Sequence, residues 1–159
     1  MASPQDSQKI RSRNKYEMWD HDPGDTAANV VTPDGGTIER WFAMADYNNF
    51  AVGAMSSTLN GNGISKLEIV AAEDDSGTNT VVIKDSGAVV ADAVGDWLIE
   101  ECSAAEIRQE GNDESTVRNL THVAGRITMA DGADEAVVFY VGANPRFIKD
   151  NLTPETTIA

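Results

Sequence analysis

The sequence predicts an all-β, mainly antiparallel domain: a β-sandwich or jelly-roll-like body of about seven short strands, with one short helix and extended terminal arms. Three observations carry this. Runs of bulky and β-branched residues alternate with polar ones at strand period. Clusters of Asn, Asp and Gly break those runs at short intervals. Only one segment has the signature of a helix start.

Residues 1–25 are polar, show neither helical nor strand period, and end in Asp20-His21-Asp22-Pro23-Gly24-Asp25. They predict an extended N-terminal arm, with the sandwich spanning 26–145 and a C-terminal tail at 146–159. Pro33-Asp34-Gly35-Gly36 is a turn cluster, after which Thr37 to Ala45 reads as a strand given bulk by Ile38, Trp41 and Phe42. Asp46 to Asn49 reads as a hairpin turn leading into a strand from Phe50 to Met55. Asn60-Gly61-Asn62-Gly63 is a strong turn, because Asn and Gly tolerate positive φ. Lys66 to Ala71 alternates, with Leu67, Ile69 and Ala71 on one face. Asp74 to Gly77 turns the chain again, and Thr80 to Lys84 returns it.

Asp92 to Cys102 is a further predicted strand, with Trp97 and Ile99 on one face. Ser103 followed by Glu106 has the spacing of a capping box, so a helix is predicted from Ser103 to Glu110, ended by Gly111. Leu120 to Met129 and Glu135 to Ala143 are the last two strands, joined by Asp131-Gly132-Ala133-Asp134. Two prolines and few apolar residues in 144–159 predict an extended tail.

The formal net charge is −14. Such a charge repels nucleic-acid backbones and anionic membrane surfaces, so neither is an expected partner. The charge is uneven. Residues 1–18 carry Lys9, Arg11, Arg13 and Lys15 against Asp6 and Glu17, a net +2, whereas the rest has 8 basic and 24 acidic residues, a net −16. A basic arm on an acidic body suggests docking on an acidic surface. Arg11, Arg13, Lys15, Tyr16 and Trp19 are the candidate partner-binding residues, the aromatics as anchors. A solvated terminus is the plain alternative. No apolar run resembles a signal peptide or a membrane span, so synthesis and retention in a cytoplasm are expected.

No reaction chemistry assembles from these residues. The one cysteine, Cys102, has only His122 or His21 as a base, and it ends an apolar strand, where a buried thiol is inert. One cysteine also excludes an internal disulfide and a cysteine-built zinc site. The two histidines fall in no metalloprotease pattern. Asp20, Asp22 and Asp25 lack the glycine and glutamate spacing of a calcium loop, because its sixth and twelfth positions hold Asp25 and Val31. Glu73 to Asp75, and Asp131 with Asp134, read as solvated turn carboxylates, the alternative being weak binding of a divalent cation between subunits. Gly61 to Lys66 leads into a strand, not the helix a phosphate loop requires. Glu100 and Glu101 are adjacent on a strand, face opposite sides and cannot share one bond. The expectation is a non-enzymatic protein with no cofactor and no metal.

The stretch Ile64-Ser-Lys-Leu-Glu-Ile-Val-Ala-Ala-Glu-Asp, with Gly77-Thr-Asn and Val94-Gly-Asp-Trp-Leu-Ile-Glu-Glu-Cys, resembles small structural proteins of tailed bacteriophages. So does Val123-Ala-Gly-Arg-Ile-Thr followed by Glu135-Ala-Val-Val-Phe-Tyr-Val-Gly-Ala-Asn-Pro-Arg-Phe. The resemblance covers residues 37–147 and is to capsid decoration (cement) proteins. It implies a β-sandwich made in the bacterial host cytoplasm and carried on the virion surface. There it would bind the major capsid protein, often as a homotrimer, and reinforce the shell. A tail or head–tail connector component is the alternative within that class. A carbohydrate- or ligand-binding sandwich is the alternative outside it, and would display exposed aromatics on a platform.

Overall fold

The computed structural model describes residues 15–21, 30–31, 37–38, 40–87 and 90–145, without the side chains of Trp19, His21, Val30, Val31 and Thr37. Among the described residues the fold is an antiparallel two-sheet sandwich with one short helix. Its elements are β1 (Lys15–His21), β2 (Val30–Val31), β3 (Thr37–Ile38), β4 (Phe42–Ala43), β5 (Tyr47–Thr58), β6 (Ile64–Ala72), β7 (Val81–Asp85), β8 (Trp97–Ser103), α1 (Ala104–Asp113), β9 (His122–Met129) and β10 (Glu135–Pro145). Sheet A has the order β1-β10-β5-β8; sheet B has β2-β3-β9-β6-β7, with β4 also on β9.

Alternation explains the core. Val52, Ala54, Val138 and Tyr140 point inward from sheet A and meet Leu67, Ile69, Ala71, Val123 and Ile127 of sheet B, all buried. Phe42, Phe50 and Tyr140 stack along one side, with ring centroids 5.4 Å and 4.9 Å apart. The Tyr140 hydroxyl accepts from the Gly125 amide at 2.6 Å and donates to the Arg40 carbonyl at 3.0 Å, so one buried side chain ties the two sheets together. Its polar tip is thus satisfied inside an apolar core.

Two of the loops that cross between the sheets at one end, β5–β6 and β9–β10, are held by Asp134, which is fully buried. Its Oδ1 accepts from the amides of Asn60 and Gly61, and its Oδ2 from those of Gly63 and Asp131, at 2.5 to 3.0 Å. Burial pushes this carboxyl upward, but the backbone donors outweigh it and hold it below the usual carboxylate range. Asp134 is therefore a buried clasp between two turns and not the solvated turn residue expected.

The capping box forms as predicted. Ser103 Oγ accepts from the Glu106 amide, and the Glu106 carboxylate accepts from the Ser103 amide at 2.8 Å. The helix, however, passes through Gly111 and ends at Asp113. Gly111 is a packing residue: a Cβ there would sit 2.6 Å from the Arg118 carbonyl oxygen, which only glycine avoids.

Other boundaries shift for local reasons. The predicted strand from Thr37 to Ala45 is two short pieces, β3 and β4, on the same edge of β9, separated by residues 39–41. Asp46 to Asn49 is not a complete turn, since Tyr47 already pairs with Pro145 and the chain reverses at Ala45 and Asp46. Likewise β8 begins at Trp97, because Asp92 to Asp96 form a turn closed by the Asp96 amide on the Ala93 carbonyl at 3.0 Å. The largest correction concerns the N-terminal arm. Lys15–His21 is an edge strand of sheet A, paired residue for residue with β10. The sandwich therefore includes Lys15–His21. At the other end β10 runs through Pro145, and residues 146–159 lie outside the described residues.

Candidate functional site

The strand registers place three rows of side chains on the outer face of sheet A. One row is Tyr16, Val141, Ala51 and Glu101. The middle row is Met18, Phe139, Gly53 and Ile99, and the third is Asp20, Val137, Met55 and Trp97. All but two of these positions are apolar, and the exceptions, Asp20 and Glu101, lie at diagonally opposite corners. A sheet face turned to water ordinarily carries polar residues. Here Met18 is 73% exposed, Tyr16 59%, Trp97 56% and Ile99 46%.

The middle of this face is flat because Gly53 has no side chain. The Phe139 ring lies over it, so that a Cβ at Gly53 would meet ring carbon Cζ at 2.1 Å. Phe139 is thereby laid towards Trp97, the ring centroids being 6.1 Å apart at an angle of 50°. Beside Ile99, Phe139 and Val141 lies an open hollow of about 500 Å³, lined also by Glu101, Ser103, Glu106, Asn49 and Asn144. The Asn144 Nδ2 donates to Asn49 Oδ1 at 3.0 Å.

Cys102 is buried, and its thiol is pushed up to about 12 by burial first and the Glu106 charge second. Glu106 is drawn down to about 2, chiefly by its hydrogen bond from Lys84 and then by the Ser103 donors. His122 lies on sheet B with its Nδ1 2.9 Å from Thr121 Oγ1, while Cys102 lies on sheet A. Glu100 and Glu101 do face opposite sides, Glu101 outward. Among the described residues no group of three or more His, Cys, Asp or Glu side chains is placed to hold a metal ion, and no helix is long and apolar enough to cross a membrane.

The candidate partner-binding residues separate. Tyr16 stands on the exposed face. Lys15 instead pairs with Glu17 at 2.6 Å and lies 4.7 Å over the Phe42 ring, so its own domain engages it. Trp19 pairs through its backbone with Val138. Arg11 and Arg13 lie outside the described residues. Sequence reading set Trp97 and Ile99 on one face but gave no sign that this face is the outer one. Met18, Met55, Val137, Phe139 and Val141 were missed altogether. Their signal was available: β5 and β10 are apolar on both alternating sets, as strands covered on both faces are.

No protein-family model matches the chain, and no curated protein matches it.

Proposed function

We propose that this protein is a non-enzymatic assembly component that docks through the outer face of sheet A. The observation that carries the reading is the grid of apolar side chains with Trp97, Met18, Tyr16 and Ile99 open to water. With strands about 4.8 Å apart and alternate residues about 6.8 Å apart, the face covers roughly 400 Å². That is within the size of the largest apolar patch on an ordinary monomer, a patch that is often functional. It is about half of what each partner contributes to a stable isolated pair. A small face suits a protein used in many copies, where weak contacts add across a lattice.

The phage resemblance supplies the lattice. The protein is read as a decoration component that lays this face on the major capsid protein and bridges neighbouring subunits on the virion surface. The acidic body keeps the free protein soluble and away from nucleic acid. A homotrimer, which the resemblance implies, would use a surface other than this one.

A second reading has one observation in its favour: Tyr16, Phe139 and Trp97 share one face, as a ligand-binding platform requires. Sugar recognition also needs polar groups among the rings; the positions directly around them hold Met18, Met55, Val137 and Ile99, and polar groups stand only at two corners and in the hollow. The apolar filling favours protein.

Co-sedimentation with shells assembled from the major capsid protein of the same genome tests the reading. Saturable binding that is lost in Trp97→Ser supports it. Shells that leave the wild-type protein in the supernatant refute it, and glycan-dependent quenching of tryptophan fluorescence would replace it with the ligand-binding reading.

A further inference from the structure

Asp20 and Glu101 interrupt an otherwise apolar grid at opposite corners, both exposed. Neither side chain makes a hydrogen bond or ion pair among the described residues, and no cation occupies any position of the grid. The corners are separated by three strand spacings in one direction and four residues in the other, which sets the carboxylates about 20 Å apart. Two lone carboxylates flanking an apolar patch must either stay wet or meet cations when the patch is covered.

We infer that the outer face of sheet A receives a protein surface with an apolar centre flanked by two Lys or Arg side chains about 20 Å apart, one for Asp20 and one for Glu101. The inference rests on the docking reading and specifies the chemistry of the partner. The two corners are unequal. Asp20 stands at the edge strand, whereas Glu101 borders the hollow of about 500 Å³ lined by Ile99, Phe139 and Val141. That hollow takes the aliphatic stem of a long basic side chain while its charged head meets Glu101.

A second copy of this chain is the wrong occupant. Face-to-face pairing would bring together four carboxylates and no cation between two bodies of net charge −14. Like charges juxtaposed across an interface are strongly unfavourable.

Two probes test this separately from the capsid reading. The first is a synthetic peptide, Lys-Thr-Val-Thr-Val-Thr-Lys, whose valines and terminal lysines share one strand face with the lysines about 20 Å apart. Its twin carries Glu at both ends. Titrations followed by amide shifts of β5, β8 and β10 are expected to show the lysine peptide binding at least fivefold tighter to the wild-type protein. The preference should reverse in Asp20→Lys/Glu101→Lys, with Glu101→Lys alone giving most of the change. Equal affinities, or no shifts on this face, overturn the inference. The second probe is the shell. Docking that survives the charge reversal while peptides show no preference overturns the inference and leaves the capsid reading standing. Peptide preference without shell binding does the reverse. Two further results would overturn it by naming another occupant: a wild-type dimer made monomeric by Trp97→Ser, or exposure of Trp97 raised by deleting residues 146–159.

Discussion

The two outer faces of this sandwich invert the usual rule in opposite directions. Sheet B buries charge: Glu68 and Arg126, directly opposed on β6 and β9, are 2% and 6% exposed. The guanidinium donates twice to the carboxylate, at 2.6 Å and 2.7 Å, and Lys66 adds a third contact at 2.9 Å. Burial pushes Glu68 upward, but these donors outweigh it and keep its pKa lowered. Alongside, Val70 and Ala124 lie under Ile38 and Trp41. Sheet A does the opposite and leaves its apolar face in water. The cover over sheet B comes at least in part from its own chain. Among the described residues nothing covers the apolar face of sheet A.

Substitutions test that contrast. The largest effect is expected from Glu68→Ala, which leaves Arg126 buried without its carboxylate and costs about 3–5 kcal/mol by urea unfolding. Replacing both residues by Met and Leu should be near neutral or stabilising, because the pair gains little over apolar packing. A double variant as unstable as the single one would mean that the ion pair itself specifies the fold of sheet B.

Next comes Asp134→Ala, which removes the acceptor for four backbone amides and should cost about 2–3 kcal/mol. Its carboxyl is lower in the folded chain than in the unfolded one, so its contribution is fully present above pH of about 4 and is lost as pH falls through the folded value. Urea midpoints measured from pH 6 down to 2.5 should fall less steeply for Asp134→Asn than for the wild type. Parallel slopes would show that Asp134 is not a source of the acid sensitivity. Ser103→Ala removes one half of the capping box and should cost about 1 kcal/mol, seen as a lower Tm.

The smallest stability effect is the one that matters for the open face. Met18→Ser should change stability by no more than about 0.5 kcal/mol, since its side chain is largely exposed, and Trp97→Ser, which loses the contact with Phe139, by about 1 kcal/mol. A loss of several kcal/mol would mean that the face is structural in the isolated molecule.

Much of the fold was legible. Asn60 to Gly63, Asp74 to Gly77 and the Ser103–Glu106 pair marked real boundaries, because turn and cap chemistry is local. The candidate site was not, because the side of a sheet a residue occupies depends on which sheet meets which. In β1, Tyr16 and Met18 alternate with Lys15 and Glu17, but the apolar members face out, so a real strand period read as a polar arm. Trp97 and Ile99 were paired correctly without any local signal to tell core from surface. Glu68 and Arg126 are 58 positions apart and met only through the β6–β9 register.

The most direct test of the central claim is hydroxyl-radical footprinting of the protein free and bound to capsid shells. Met18 and Trp97 should oxidise readily in the free protein and become protected on binding, with Met55 following them and Met44, already buried, unchanged. Binding that leaves Met18 and Trp97 as reactive as before would show that the protein docks through another surface.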